Sequence, residues 1–283
     1  MVNKTGTNFQ RHEVVMAEPV VKWVGGKRRL LPELARRLPA DMRGYHEPFL
    51  GGGALFFSLR PAQSLLTDFN GELINLYRVI KICPRQLMTA LEGFEFTEAE
   101  YYRMRDLDRS PGFAALSDLE RAARFLYLSK TSFNGLWRVN RLGHHNGGWG
   151  KRGRVALYRP DNLMEVHEAL RTARLAQAHY SHVLVMARPG DFVYFDPPYD
   201  TERGEGSVGY TTTGFSRMDQ QELWQVCIKL HRMGARWMQS NADTPFIRRL
   251  YRAFRIEGIH APRSLAGDPK GRAAAREVIV RNY

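Results

Sequence analysis

A short stretch that combines an acid, two prolines and an aromatic residue is the part of the sequence best suited to chemistry. Residues 190–200 read GDFVYFDPPYD, where an apolar run typical of a buried strand leads directly into Asp196, Pro197, Pro198 and Tyr199. Proline locks the backbone φ angle, so the Asp196 carboxylate and the Pro197 carbonyl would be held as rigid hydrogen-bond acceptors. Rigid acceptors beside an aromatic ring suit a flat substrate group that carries two N–H bonds.

An exocyclic amine of a nucleobase is such a group. The amine is planar and a poor nucleophile, because its lone pair is delocalised into the ring. Acceptors at Asp196 and Pro197 would draw the nitrogen toward tetrahedral geometry and direct its lone pair at an electrophile. Tyr199 would stack on the base, which must leave the double helix to enter such a pocket. The alternative is a strand that ends on prolines without any catalytic role.

A glycine cluster lies upstream, in the run EPFLGGG of residues 47–53. Glycines after a strand allow a tight turn and a close approach of ligand to backbone. Asp68 ends the next strand-like run, SLLTDFN, and could accept hydrogen bonds from two ribose hydroxyls. The spacing is not the G-x-G-x-x-G of dinucleotide enzymes. The cluster therefore indicates an adenosine-containing ligand such as S-adenosylmethionine, whose sulfonium suits acids and aromatic faces, or else an ordinary turn.

The elements around these residues predict an α/β fold. Strand-like and helical runs alternate in residues 19–80 and again in residues 166–283, as in a parallel sheet covered by helices. Residues 81–165 read instead as helices followed by a segment rich in Gly, Asn and Arg. We predict a mostly parallel, twisted sheet that forms the catalytic domain, with 81–165 as a helical insertion. Residues 1–18 are predicted to be a flexible leader.

The charge of the chain points to a polyanionic partner. The formal net charge is +13, and the 42 Lys and Arg residues are spread along the chain, which favours a folded nucleic-acid-binding face over a basic tail. A merely soluble basic protein is the alternative. No run approaches about 18 apolar residues, and the first residues lack a secretion signal, so we expect a cytoplasmic protein without a membrane contact. Cys83 and Cys227 stand far apart, and we expect no metal site.

Six motifs in a fixed order resemble the Dam-type DNA adenine-N6 methyltransferases. They are KWVGGK, EPFLGGG, TDFNGEL, FLYLSKTSFNGLWRVN, DFVYFDPPYD and SNADTPFIRRLY. The resemblance runs from about Val20 to the last residue, with the recognition insertion between the cofactor glycines and the DPPY. It implies a class I S-adenosylmethionine-dependent methyltransferase fold of the Rossmann-like type, double-stranded DNA as the partner and S-adenosylmethionine as the methyl donor.

The resemblance also implies roles for individual residues. The catalytic tetrapeptide of the family matches Asp196, Pro197, Pro198 and Tyr199. The cofactor-binding positions of the family match Lys22, Trp23, Lys27, Glu47, Pro48, Phe49, Gly51, Gly53, Asp68 and Asp196. For each of these positions the alternative is an ordinary scaffold or surface role.

The run FNGLWRVN stands where the family places a β-hairpin that enters the DNA. By resemblance, Phe133 would fill the gap left by a flipped base, and Asn134 would compensate the orphaned thymine. Leu136 and Arg138 match positions that read bases in enzymes acting on GATC. An arginine suits guanine because its fork can bond O6 and N7 together. A phosphate contact by Arg138, which would not depend on sequence, stays open.

The chain departs from the family pattern after this run. The family typically continues G-x-F-N-V-P-x-G, whereas this chain reads GHHNGGWG, with His145 in place of phenylalanine and Gly147-Gly148 in place of Val-Pro. The recognition sequence is therefore expected to be GATC or a related site. His144 and His145 lack acids or cysteines at metal-ligand spacing and are interpreted as loop histidines.

The sequence thus predicts a site-specific DNA adenine-N6 methyltransferase. The alternatives are a cytosine-N4 methyltransferase, which more often has serine before the prolines, a protein or RNA methyltransferase, and a DNA-binding module without catalysis. We expect a cytoplasmic, nucleoid-associated monomer from a prokaryote or phage, with a restriction endonuclease of the same system as a candidate partner.

Overall fold

A computed structural model describes residues 17–151, 153–201, 214–261 and 275–283, so nearly all of the predicted leader lies outside the described residues. The strands are β1 (Tyr45–Glu47), β2 (Ser64–Asp68), β3 (Arg174–Gln177), β4 (Phe192–Phe195), β5 (Arg236–Ala242), β6 (Arg255–Ala261) and β7 (Ala275–Arg281). They form one sheet in the order β3-β2-β1-β4-β5-β7-β6. β1 to β5 are parallel, and only β7 runs antiparallel to its neighbours β5 and β6. The predicted α/β fold of the class I methyltransferase type is confirmed.

The order of the strands determines where a ligand can bind. The chain proceeds from β1 outward through β2 to β3, and from β4 outward in the opposite direction to β5. At the point where the order reverses, the loops after the two central strands diverge and leave a crevice at the carboxyl edge. Glu47 ends β1, Asp68 ends β2, and Asp196 directly follows β4. The sheet therefore brings the three sequence-predicted acids to one edge.

Helices cover this sheet and form the predicted insertion. They are α1 (Leu31–Ala35), α2 (Ala54–Leu59), α3 (Gly71–Ile82), α4 (Pro84–Glu92), α5 (Glu98–Asp106), α6 (Asp118–Thr131), α7 (Pro160–Leu170), α8 (Val183–Met186), α9 (Arg217–Arg232) and α10 (Pro245–Leu250). Local signals begin the long ones: Ser117 with Glu120 and Ser216 with Asp219 form capping boxes before α6 and α9. No helix within the described ranges is long and apolar enough to cross a membrane.

One strand of the sheet was absent from the sequence-based prediction. β3 has the sequence RLAQ, lies at the edge of the sheet and is exposed or half-buried along its length. It has neither the continuous apolar run nor the alternation that marks a strand. Its parallel pairing with β2, from Leu65↔Arg174 to Asp68↔Gln177, makes it a strand.

The helical insertion shares its hydrophobic core with the sheet. α6 packs against α3 and α4, and α7 packs against α3. Buried Tyr101 of α5 and Phe125 of α6 belong to the same cluster as Tyr45 and Tyr77 from β1 and α3. α5 and α6 form the helical part that the sequence predicts within residues 81–165, and the domain boundaries at residues 81 and 165 and the DNA-contacting role of the hairpin stay predictions.

A buried ion pair joins the parts of the insertion. Arg124 of α6 lies 2.9 Å from Asp108, and their side chains are 2% and 8% exposed. Arg124 also donates to the carbonyl oxygens of Met104 and Arg105 at the end of α5. Asp108 accepts a hydrogen bond from the backbone amide of His145 at 2.7 Å. The pair therefore ties α6 to the loop after α5 and to the segment that carries the predicted DNA contacts.

We expect Arg124→Met to reduce the free energy of unfolding by more than about 2 kcal/mol, because the change removes the buried partner of Asp108, which keeps only its half-exposed contact with Arg109, and the donor to the carbonyl oxygens of Met104 and Arg105. Urea denaturation monitored by circular dichroism measures the loss. Arg103→Met is the matched control, since Arg103 forms its ion pair with Glu100 at the surface and the cost should stay below about 1 kcal/mol. Equal losses in the two variants would contradict the structural role of the buried pair.

Candidate active site

The Asp196 carboxylate is held by two donors that reach the same oxygen. Lys27 Nζ lies 2.7 Å from Asp196 Oδ1, and Ser240 Oγ donates to Oδ1 at 2.9 Å. The Lys27 side chain is 6% exposed and also donates to the carbonyl oxygen of Gly25. Burial raises the pKa of Asp196, while Lys27 and Ser240 act in the opposite direction. The two donors therefore favour the ionised carboxylate in a site that would otherwise protonate it.

Buried amides hold the backbone of the DPPY segment. The Gln220 side chain donates to the carbonyl oxygen of Pro198 at 2.9 Å and accepts from Asn241 Nδ2 at 3.0 Å. Asn241 Oδ1 in turn accepts from the backbone amide of Asp200 at 3.1 Å. Gln220 and Asn241 are both buried. The rigidity predicted from the prolines thus has a second source in α9 and β5.

Tyr199 lies directly over the lysine of this site. Lys27 Nζ is 4.7 Å from the centre of the Tyr199 ring, a distance at which a cation is attracted to an aromatic face. The Tyr199 hydroxyl donates to Glu277 Oε2 of β7 at 2.8 Å. The ring is therefore fixed at both ends, next to the carboxylate.

Three contacts at Gly51 hold the glycine turn in place. Its amide donates to Asp68 Oδ2 at 2.9 Å, and its carbonyl oxygen accepts from the Tyr77 hydroxyl at 3.1 Å. A Cβ atom at this position would lie 2.7 Å from Cδ1 of Trp23, and φ is +47°. Gly53 has a φ of +67° and lies equally close to Phe57. Glycine is therefore required at both positions, and the Trp23 ring rests on the turn.

The acids at the carboxyl edge are crowded and desolvated. Burial, together with the nearby charges of Asp196 and Asp68, raises the pKa of Glu47 to about 8, against the hydrogen bonds from the Tyr45 hydroxyl and the Phe56 backbone amide. Burial raises the pKa of Asp68 to about 6, against the hydrogen bonds from the backbone amides of Asn70, Gly51 and Phe69. Three carboxyl groups with a single lysine among them form a site that a cationic ligand would stabilise.

Most of the residues assigned to the cofactor site meet at this edge. Trp23, Lys27, Glu47, Gly51, Gly53, Asp68 and Asp196 belong to the contacts described above, and Pro48 is buried beside them. Phe49 packs instead into an aromatic cluster, with Tyr180 at 5.2 Å and Phe215 at 5.8 Å between ring centres. Lys22 is exposed, and its Nζ donates to the carbonyl oxygen of Asn134 at 2.9 Å. Lys22 therefore points to the hairpin.

The run FNGLWRVN forms one arm of an irregular hairpin. The Phe133 amide donates to the Gly148 carbonyl oxygen at 2.8 Å, and Arg138 accepts from the amide of Asn146 at 3.0 Å. Phe133 is 65% exposed, Arg138 is exposed, and Asn134 has a left-handed backbone with φ of 58°. Leu136 is only 8% exposed. Phe133 and Arg138 can thus reach a partner in this conformation, whereas a base contact by the Leu136 side chain needs a rearrangement.

His145 is part of the hairpin's packing. It is fully buried, stacks on Trp137 with 4.4 Å between ring centres, and its Nε2 lies 3.2 Å from Ser132 Oγ. Burial and the charge of Arg124 lower the pKa of His145 to about 3, so the ring is neutral. A Cβ atom at Gly147 would lie 2.9 Å from His145 Nε2. A side chain at Gly147 would therefore collide with the His145 ring, so the buried histidine requires glycine at this position.

The sequence-based interpretation missed several residues of the site. Ser240 and Asn241 lie in the matched motif SNADTPFIRRLY, to which no role was assigned, and Gln220 lies within α9. Phe69 directly follows Asp68 and is 58% exposed, which is unusual for a large aromatic residue. In the described part of the chain, no group of His, Cys, Asp and Glu is arranged to hold a metal ion.

Comparisons with known proteins agree with this geometry. Type II methyltransferase M1.LlaDCHI of Lactococcus lactis subsp. cremoris is 36% identical over 281 residues, covering 98% of this chain and 99% of that protein. The retron Ec67 DNA adenine methylase of Escherichia coli is 35% identical over 265 residues, covering 92% and 90%. The DNA adenine methylase of Vibrio cholerae serotype O1 is 30% identical over 267 residues, covering 92% and 94%.

A family model describing the D12 class of N6 adenine-specific DNA methyltransferases matches residues 23–265, which include the glycine turn, the hairpin and the DPPY segment. The match covers most of the chain. This protein therefore belongs to the D12 class N6 adenine-specific DNA methyltransferase family.

Proposed function

We propose that this adenine-specific DNA methyltransferase transfers the methyl group of S-adenosylmethionine to N6 of an adenine that has been flipped out of duplex DNA. The observation that carries the proposal is the Asp196 carboxylate, held through one oxygen beside Tyr199 at the point where the strand order reverses. Ligands of open α/β sheets bind outside the carboxyl ends of the strands at this point. An adenine and a methyl donor would meet there.

The residues at the carboxyl edge fit S-adenosylmethionine. When bound, this donor supplies a methyl group on a positively charged sulfur. Glu47 and Asp68, whose pKa values are raised by burial, would be stabilised as carboxylates by the positive charges of the donor. The Gly51 amide donates to Oδ2 of Asp68 and the Asn70 amide to Oδ1, with the Phe69 amide also close to the carboxylate, and the carboxylate keeps acceptor capacity for ribose hydroxyls. Phe69, exposed beside Asp68, is a candidate to stack on the adenine ring of the donor.

The residues around Asp196 would hold and activate the target base. One N6–H bond is accepted by Asp196 and the other by the carbonyl oxygen of Pro197, while Tyr199 stacks on the ring. These contacts would direct the lone pair of N6 at the methyl group that the donor supplies. As the carbon–nitrogen bond forms, the carbon–sulfur bond would break with the sulfur leaving as a neutral thioether, and the positively charged N6 would lose one proton to solvent. Lys27 keeps the Asp196 carboxylate ionised, so that it stabilises the positive charge that develops on N6.

The hairpin would recognise and open the DNA. Phe133 is placed to fill the space of the flipped adenine, and Arg138 to read a guanine in GATC or a related site. The net charge of +13 supplies the general attraction to phosphates. Because one relative is named a type II methyltransferase, we also propose a restriction endonuclease of the same system as a partner. We further propose that the protein is a cytoplasmic monomer and that residues 81–165 form its recognition domain.

With tritiated S-adenosylmethionine and duplex DNA, we expect the label in N6-methyladenine after digestion to nucleosides. Asp196→Asn should abolish the transfer while DNA affinity stays nearly unchanged, because the side chain keeps its size and loses its charge. Asp41→Asn is the control, since Asp41 is exposed and forms a surface ion pair with Arg236, and it should retain full activity. Label in cytosine, no label, or a substantial rate in Asp196→Asn would each contradict the mechanism.

We expect cofactor binding at pH 7 to release a proton from Glu47. With a pKa of about 8 this side chain is mostly protonated at pH 7, and a cationic ligand favours its ionised form. The affinity should therefore rise as the pH increases from about 6 to about 8. Calorimetry in two buffers of different ionisation enthalpy counts the protons, with Glu47→Gln as control.

In Glu47→Gln the proton release and this rise in affinity should disappear. Asp68, with a pKa of about 6, contributes mainly below pH 6 and is present in both proteins. The same proton count and pH dependence in both proteins would show that Glu47 does not bind the cationic donor.

We expect Arg138→Ala to lose discrimination at one base pair of the target, by about 1–3 kcal/mol, because the bidentate contact to guanine disappears. Methylation rates on a panel of single-substitution duplexes measure the loss. Arg171→Ala, an exposed arginine at the end of α7, should leave discrimination unchanged. Weaker binding to all duplexes, with a shallower salt dependence, would instead identify a phosphate contact.

A further inference from the structure

Ser240 occupies the place beside the catalytic carboxylate on the neighbouring strand. The parallel pairing of β4 with β5 ends at Phe195↔Gln239, so Asp196 and Ser240 follow one step beyond it. Ser240 is fully buried, and its Oγ donates to Asp196 Oδ1 at 2.9 Å. The register of the two central strands therefore sets the distance between this hydroxyl and the carboxylate.

Tyr194 determines the direction of that hydrogen bond. Its hydroxyl lies 3.0 Å from Ser240 Oγ. Serine carries a single hydroxyl proton, which is used on Asp196, so Tyr194 must be the donor to Ser240. Burial raises the pKa of Tyr194 well above its ordinary value, which keeps it protonated. The result is a chain of hydrogen bonds from Tyr194 to Ser240 to Asp196.

Both donors to Asp196 contact the same oxygen of the carboxylate. Among the described residues, Lys27 Nζ and Ser240 Oγ are the donors to Oδ1. The Lys27 ammonium donates in three directions, so it can keep a hydrogen bond to a carboxylate that rotates. Ser240 lies on a central strand and cannot follow. Rotation of the carboxylate would break the serine bond, which makes Ser240 the constraint on its orientation.

We propose that Ser240, held by Tyr194, is a positioning residue that fixes the rotation of the Asp196 carboxylate and thereby presents Oδ2 to the amine of the target adenine. The inference rests on the proposed function, since it assigns the acceptor atom within that mechanism. Loss of this orientation should lower kcat and leave KM nearly unchanged. A carboxylate that rotates still permits binding of DNA and donor, but it holds the amine in the reactive geometry for less of the time.

The charges that face Asp196 come from several elements. Lys27 precedes α1, Glu47 ends β1, Tyr194 belongs to β4, and Tyr199 connects the site to Glu277 of β7. Among these, Lys27 and Ser240 lower the pKa of Asp196, whereas burial raises it. Loss of the Ser240 hydroxyl should therefore raise the pKa of Asp196 and move the acid limb of the pH–rate profile to higher pH.

The test compares Ser240→Ala, Ser240→Thr and Tyr194→Phe in the labelled-adenine assay. We expect Ser240→Ala to lower kcat about 10- to 100-fold, with the KM values for DNA and S-adenosylmethionine within about twofold of wild type. The acid limb should shift upward in this variant. Ser240→Thr, which keeps the hydroxyl, should recover most of the rate and the wild-type profile. Tyr194→Phe should lower kcat less and add nothing in the Ser240→Ala background, as in a coupled pair.

An unchanged kcat in Ser240→Ala, or a loss that appears only in KM, would overturn the proposal. Equal losses in Ser240→Ala and Ser240→Thr with an unshifted profile would reduce Ser240 to a packing role. If Ser240→Ala fails to fold, Tyr194→Phe decides: a wild-type kcat overturns the relay, and a lowered kcat with unchanged KM supports it. Failure of wild-type protein to label adenine would instead refute the proposed function itself.

Discussion

The ion pair between Lys27 and Asp196 is the interaction on which the rest of the site depends. A carboxylate at the end of a central strand is desolvated by the sheet and helices around it, and desolvation favours its protonated form. A protonated acid would lose much of its strength as an acceptor and could not stabilise a positive charge. The buried Lys27, with help from the Ser240 hydroxyl, offsets that tendency through one oxygen of the carboxylate.

The short segment that carries this lysine also contacts the other parts of the site. Lys22 reaches the hairpin at Asn134, Trp23 rests on the glycine turn at Gly51, and Lys27 ends at Asp196. Residues 22–27 therefore touch the elements proposed to bind DNA, methyl donor and target base. The six residues of the motif KWVGGK thus contact three segments that are far apart in the chain.

The hairpin shows what a buried histidine requires of its surroundings. Histidine is smaller than phenylalanine and carries two polar nitrogens, so its burial requires a hydrogen-bond partner and space of a different shape. Ser132 and Tyr101 lie within hydrogen-bond distance of Nε2, whereas Nδ1 has no hydrogen-bond partner among the described residues, and the absence of a side chain at Gly147 supplies the space. The arm that follows is fastened through the amide of His145 to Asp108, and hence to the buried Arg124. His145 and Gly147 thus belong to the support of the hairpin, while Phe133 and Arg138 lie at its surface.

The sequence by itself determined the alternation of strands and helices, the acids at the ends of β1, β2 and β4, and the glycine turn. These features are local. An apolar run followed by prolines, or a cluster of glycines after a strand, can be recognised from residues that are adjacent in the sequence. Only the tertiary structure decided that Ser240 and Gln220 support the DPPY segment, that RLAQ is a strand, that Leu136 faces inward and that His145 is buried. Each of these depends on a partner distant in the chain, as with Ser240 and Asp196, 44 residues apart. Serine, glutamine and histidine are common in loops and on surfaces, so their types reveal no such role until folding places the partner beside them.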